Sequence, residues 1–149
     1  MSPRRLDIAV VLRRLSLMTE TLEQLKLLAF ADVDQFTANP LDRAAAERLL
    51  QVLVDLAIDI NSHLAVAMGS SAPETGRDSF LALGSLGVID PALAELLAPA
   101  AGMRNVLVHR YFDIRLNELV RGVEMALQQF PSYVRAVAVR LETWEPPRA

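Results

Sequence analysis

The chain contains no cysteine. Disulfides, thiolate metal sites and thiol nucleophiles are thereby excluded. Aromatic residues make up only 5% of its 149 residues, whereas apolar residues make up 52%. The core must be built mainly from Leu, Ala and Val, which favours packed helices over a sandwich or barrel of aromatic and β-branched strands. Lysine is almost absent: Lys and Arg total 15, and Lys26 is the sole lysine. A net charge of −3 suits a general nucleic-acid coat poorly. A local arginine site remains open to it, because the planar guanidinium grips phosphate oxygens in pairs. No apolar run approaches the roughly 20 residues of a membrane span. The segment "MSPRRLDIAVVLRRL" has no long apolar h-region and no small-residue cleavage site. The expectation is a soluble, cytoplasmic protein with no membrane partner. The glycines lack phosphate-loop spacing and no serine sits in a nucleophile elbow, so neither ATP binding nor serine hydrolysis is expected of this chain.

The length fits one domain over residues 1–149, with a frayed tail from about Trp144. Ile8, Val11, Leu15, Met18, Leu22, Leu25 and Ala29 recur in steps of three and four, one buried stripe of a helix from about Pro3 to Phe30. "ADVDQFTAN" reads as a connector. Asn39-Pro40 then supplies an N-cap and a first-turn proline for a second helix, with Leu49, Leu53, Leu56, Ile60 and Ala67 as its stripe. "MGSSAPETG" is the most loop-like stretch. A short helix from Asp78 to Leu86 should stop at Gly87, and Asp90-Pro91 opens another that Pro99 should kink or split. The last helix runs from about Arg115 to Thr143, with Leu116, Val120, Val123, Leu127, Phe130, Val134, Val137 and Leu141 in register and a bend at Pro131. Tyr133 reads as core edge and Trp144 as a helix end against the bundle. No segment alternates like a strand. The fold class is all-α, a bundle of about five helices in two long pairs with short connecting helices.

Chemistry concentrates in "RNVLVHRYF", residues 104–112 of a chain with only two histidines and two tyrosines. At about 100° per residue, Met103, Val106 and Leu107 form an apolar face. Arg104, Asn105, His109 and Tyr111 share the opposite half, interrupted only by Val108. Arginine and histidine at the end of a helix also complement its dipole and bond its last carbonyls, so a plain structural reading stays open. A second cluster, Asp55, Asp59 and His63, lies at i, i+4 and i+8 along one helix. A metal site can begin this way. A polar strip bordering the core is the plainer reading, and no metal or other cofactor is assigned.

"RNVLVHRY" resembles the R-x4-H-x-Y signature of the HEPN superfamily in its HepT-like toxin branch. The resemblance extends from about Arg4 to Leu141. "LDRAAAERLLQVLVDLAIDINSHL" is similar to the family's second helix, with an Asp and a His four residues apart. "FLALGSLGVIDPALAELLAPAAGMRNVLVHRYFDI" is similar to its route through a short helix into the motif helix. Arg110 departs from relatives that often carry an acidic residue between the His and the Tyr, which puts the charge at the cleft or at a partner contact in question. The resemblance implies a HEPN-type bundle and a metal-independent endoribonuclease that acts as a homodimer. It also implies a partner antitoxin, a small MntA-like nucleotidyltransferase that silences the toxin by attaching AMP to Tyr111.

The residues suit that reaction on independent grounds. RNA carries its own nucleophile, the 2′-hydroxyl. Cleavage needs a base for its proton, an acid for the departing 5′-oxygen and positive charge on the phosphorane-like transition state. His109 is the candidate base or acid, since imidazole ordinarily titrates near neutrality. Arg104 is the candidate phosphate clamp, with Asn105 orienting the phosphate or fixing the histidine tautomer. One histidine cannot easily be base and acid at once, and a twofold dimer would bring two copies to one cleft. Tyr111 is open to two roles, base stacking or phosphate contact on one side and modification on the other. Asp59 and His63 are candidate supports, Asp59 pairing with Arg104 or orienting His109. A reading from another class uses the same motif: a catalytically silent helical module that binds a nucleotidyltransferase or is modified by it.

Overall fold

The computed structural model describes residues 5–28, 32–109, 115–146 and 148. Among them are six helices and no strand: α1 (Ile8–Lys26), α2 (Val33–Ala38), α3 (Pro40–Ala67), α4 (Gly76–Ser85), α5 (Pro91–His109) and α6 (Leu116–Glu142). One contiguous apolar cluster draws side chains from all six. The helix α3 is its axis and packs against every other helix. A window of α3 has a mean hydropathy of 1.5, enough by length and composition to cross a membrane. Its Leu50, Leu53, Ile60 and Leu64 are nevertheless fully buried against neighbouring helices, as befits the core helix of a bundle.

The periodic stripes persist in the structure. Val11, Leu15, Met18, Leu22 and Leu25 of α1 are buried, as are Val123, Phe130, Val137 and Leu141 of α6. Ile8 is 38% exposed, and the helix starts there because the Asp7 carboxylate accepts from the Val10 backbone N–H and caps it. Ala29 lies outside the described residues. The expected connector after α1 contains α2, capped by Asp32 and anchored by Phe36, which is buried. Among the described residues the bundle thus counts six helices, α2 being one of the short connecting ones. Pro99 and Pro131 lie inside α5 and α6, and neither splits its helix. Each removes one backbone bond, and burial of adjacent residues such as Ala98, Ala100 and Phe130 offsets the loss.

Tyr133 is no edge residue. It is fully buried, in edge-to-face contact with Phe80 and Phe130. Its hydroxyl donates to Asn61 Oδ1 at 2.6 Å, with the Ala57 carbonyl also in reach at 3.2 Å. Asn61 Nδ2 donates to Ser79 Oγ at 3.1 Å, and Ser79 donates in turn to the Gly76 carbonyl at 2.6 Å. This buried chain ties α6 through α3 to the start of α4. Burial also holds the Tyr133 phenol well above its ordinary pKa of 10.0, so it remains a donor.

Candidate active site

The helix α5 presents the motif. Asp90 Oδ1 accepts from Ala92 N at 2.8 Å, and Pro91 occupies the first turn with no N–H to leave unpaired. Ala94, Leu97, Ala98, Ala100 and Ala101 are buried, so small side chains bring α5 close to its neighbours. Leu107 anchors the last turn at 6% exposure, and Met103 packs against the core. At Gly122 on α6, a Cβ would fall 2.6 Å from Met103 Sδ, so α6 packs here closely against the side chain of the motif helix. Held from behind in this way, Arg104 is half-buried while Asn105 and His109 are exposed.

Arg104 reaches across to α3, where its Nε–H donates to Asp55 Oδ1 in an ion pair. Its Nη1 donates to Asn105 Oδ1 at 3.1 Å. A guanidinium carries five N–H donors. Two are used here, and the remaining three have no partner among the described residues. Asp55, Ile58, Asp59, Gly76, Arg104 and Asn105 line a cleft of ≈ 330 Å³. The cleft closes tightly at α4, since a Cβ on Gly76 would lie 2.7 Å from Ile58 Cδ1 and 3.0 Å from Ala101 Cβ. Asp55 and Asn105 thus fix the guanidinium in one orientation and leave donors for an oxyanion, the arrangement that electrostatic catalysis at phosphorus requires.

The support expected of Asp59 falls to Asp55. The two are one helical turn apart, about 5.4 Å. Arg104 meets α3 at the earlier turn, and Asp59 is an exposed carboxylate on the rim of the cleft. His63, the other candidate support, bonds a different helix. Its Nε2 accepts from the Asp7 backbone N–H at 3.2 Å, so it serves the start of α1. His109, five residues beyond Arg104, is exposed and has no hydrogen-bond partner among the described residues. Tyr111 and Arg110 lie outside the described residues. Among the described residues no three His, Asp or Glu side chains are grouped to hold a metal.

The fold and the site together define a helical bundle that displays an Arg-x4-His pair from one well-anchored helix. Comparison with known proteins places it more closely. The family model for ribonuclease HepT-like proteins matches residues 18–137, and the chain belongs to that family. The tRNA nuclease HepT of Aphanizomenon flos-aquae is 36% identical over 136 residues, 91% of this chain and 92% of the relative. The mRNA nuclease HepT of Shewanella oneidensis is 30% identical over 88 residues, 59% of this chain and 66% of the relative. Among solved structures, a tri-AMPylated HEPN toxin of Shewanella oneidensis in complex with an MNT antitoxin superposes with a TM-score of 0.78 at 22% identity, covering 87% of this chain and 97% of that one. The cytosolic Bacillus subtilis protein YutE, of unknown function, superposes with a TM-score of 0.83 at 17% identity, covering 100% of this chain and 99% of that one. At such identities the superpositions establish the fold, an all-α HEPN bundle.

Proposed function

We propose that this protein is a cytoplasmic toxin, a metal-independent endoribonuclease of one domain over residues 1–149, paired with an MntA-like nucleotidyltransferase antitoxin. Its family and its relatives named as tRNA and mRNA nucleases support ribonuclease activity. The observation that carries the site is Arg104, held by Asp55 and Asn105 with three N–H donors left over, on the helix that also carries His109. The scissile phosphate sits on those donors. His109 takes the proton from the 2′-hydroxyl, whose oxygen attacks phosphorus. The bond from phosphorus to the 5′-oxygen breaks, and that oxygen takes a proton from a general acid. The products are a 2′,3′-cyclic phosphate and a 5′-hydroxyl. A second copy of the chain supplies the acid as its own His109 in a twofold homodimer, and Asn105 offers its free amide donors to the phosphate.

Tyr111 is the regulatory position, two residues past His109 in the motif. Its hydroxyl attacks the α-phosphate of ATP on the partner enzyme, and pyrophosphate leaves. The attached adenylate is an anion tethered at high effective concentration, and Arg104 pairs with it in place of RNA. The similarity in fold to a tri-AMPylated toxin bound to its antitoxin supports this reading.

The test is incubation of purified, unmodified protein with total RNA in EDTA. New 5′-hydroxyl and 2′,3′-cyclic ends are expected, with DNA untouched because it lacks the nucleophile. Loss of all cleavage in EDTA, or cleavage of DNA, refutes the mechanism. After incubation with the partner and ATP, intact mass should rise in whole AMP units for the wild type and stay constant for Tyr111→Phe. Intact RNA together with a Tyr111-dependent mass gain would make the chain a silent interaction module.

A further inference from the structure

A second cleft, of ≈ 360 Å³, adjoins the first. It is lined by Arg14 of α1, by Asp59, Ser62, His63 and Val66 of α3, and by Ala72 of the following loop. Asp59 belongs to both clefts. They therefore adjoin along α3 at Asp59, and together span from Asp55 to His63 eight residues on, about 12 Å at the rise of an α-helix. The groups lining the second cleft have little to do within the fold. Arg14 is half-buried and has no hydrogen bond or ion pair among the described residues. Asp59 has no ion-pair partner among the described residues either. His63 accepts at Nε2 from Asp7 N, which places the proton of the neutral ring on Nδ1 as a free donor. An unpaired half-buried guanidinium, an imidazole donor, a hydroxyl and a carboxylate acceptor in one open groove match a nucleotide better than an apolar ligand. The guanidinium suits a phosphate, and the carboxylate suits a donor such as the ribose 2′-hydroxyl.

We propose that the cleft between Arg14, Asp59 and His63 is a nucleotide subsite adjoining the Arg104 cleft, binding the single-stranded RNA residue on the 3′ side of the scissile phosphate, with Arg14 on the phosphate that follows this residue and Asp59 accepting from its 2′-hydroxyl, which is not the attacking one. The subsite rests on the ribonuclease reading but adds residues outside the motif. It explains why a carboxylate stands between two phosphate positions. Asp59 repels a misplaced phosphate and accepts from the sugar that joins the two. The backbone is then read in register rather than held by diffuse charge.

The experiment is binding of a fluorescein-labelled single-stranded RNA 12-mer, with His109→Ala as the parent protein so that the probe stays intact. Arg14→Ala on this parent should weaken binding about tenfold. It should also lower the slope of log K against log salt by about 0.7, the loss of one single-strand phosphate contact. Arg14→Lys should fall between, since it keeps the charge and loses the fork. Asp59→Asn should narrow the preference for RNA over DNA of the same sequence. Thermal melting should change little for Arg14→Ala, whose guanidinium makes no hydrogen bond or ion pair among the described residues. Arg14→Ala binding within twofold of its parent, with the same salt slope, overturns the subsite. So does a parent that binds no RNA. Arg14-dependent binding by a wild-type protein that cleaves nothing would refute the nuclease and keep the subsite.

Discussion

Replacing Asp55 with Ala isolates the carboxylate that orients Arg104. The two side chains are 34% and 30% exposed. A hydrogen bond between charged groups contributes about 1.5–3 kcal/mol when shielded, and an exposed ion pair about 0.2–1 kcal/mol. A pair about one-third exposed lies between, so the fold should lose about 1 kcal/mol and the Tm should drop by about 2–4 °C for a chain of this size. The effect on rate is separate. Freed from Asp55, the guanidinium regains part of a rotamer entropy of about 2 kcal/mol, with Asn105 still restraining one end. A barrier higher by about 1–2 kcal/mol lowers kcat about 5- to 30-fold. KM should not rise, because a negative charge beside the phosphate has gone. Steady-state cleavage of a short RNA measures both constants. Asp55→Asn keeps an acceptor for Nε–H and should recover part of kcat. In an Arg104→Ala background, Asp55→Ala should cost nothing further, since no guanidinium is left to orient. An unchanged kcat, or an equal loss with and without Arg104, would refute the argument.

The remaining predictions concern the base, the core and the assembly. His109→Ala should lower kcat by about 10²–10⁴ with an unchanged melting temperature, the range of a general acid–base group, and full activity would remove His109 from the mechanism. Arg104→Lys should be nearly as impaired as Arg104→Ala, because an ammonium cannot reproduce a fork held by Asp55 and Asn105 while it grips a phosphate; wild-type rates in the lysine variant would show that charge alone suffices. Tyr133→Phe strands the buried Asn61 Oδ1 and should cost about 1–3 kcal/mol in denaturant unfolding. The Tyr133 phenol titrates above its ordinary 10.0 when folded, so its contribution is intact below about pH 10 and is lost as the pH rises beyond that, where only the unfolded chain ionises readily. Tyr133→Phe should therefore flatten the fall in stability between about pH 10 and 11, and an unchanged slope would assign the fall to other groups. Sedimentation at micromolar concentration should show a dimer, and a fully active monomer would dismiss the composite site.

Where the sequence is periodic over several turns, the reading holds. The stripes of α1 and α6, the loop before α4 and the stop at Gly87, whose φ of +76° suits glycine, all follow from spacing and capping chemistry. The helix α2 leaves no mark in the pattern, because six residues with one buried side chain, Phe36, make no period. The burial of Tyr133 is not legible on a wheel, which gives the face of a helix and not the acceptor waiting across it. Its partner Asn61 is 72 residues away. The choice between Asp55 and Asp59 was beyond the sequence for a related reason. Both border the same face of α3, and the winner depends on where α5 crosses. That crossing is set by close contacts at Gly76 and Gly122, residues outside both helices. Arg14 had no motif to mark it, and only the meeting of α1 with α3 brings it beside His63.

The charges in the groove also explain how a chain of net charge −3 can handle RNA without coating it. Along the two adjoining clefts, Arg104 and Arg14 stand with Asp55 and Asp59, so these four formal charges cancel. A field of this kind cannot draw polyanions from a distance, as uniformly basic surfaces do. Affinity must come at short range, from guanidinium forks that fit phosphate oxygens and from acceptors placed for the sugar. On the proposed reading, such a surface should favour a substrate whose backbone takes the right path and gain little from duplexes or DNA. The same balance makes the site easy to silence. With Asp55 already offsetting much of the Arg104 charge, a single adenylate attached as proposed would take up the donors that remain, and no excess of positive charge would be left to recruit RNA in its place.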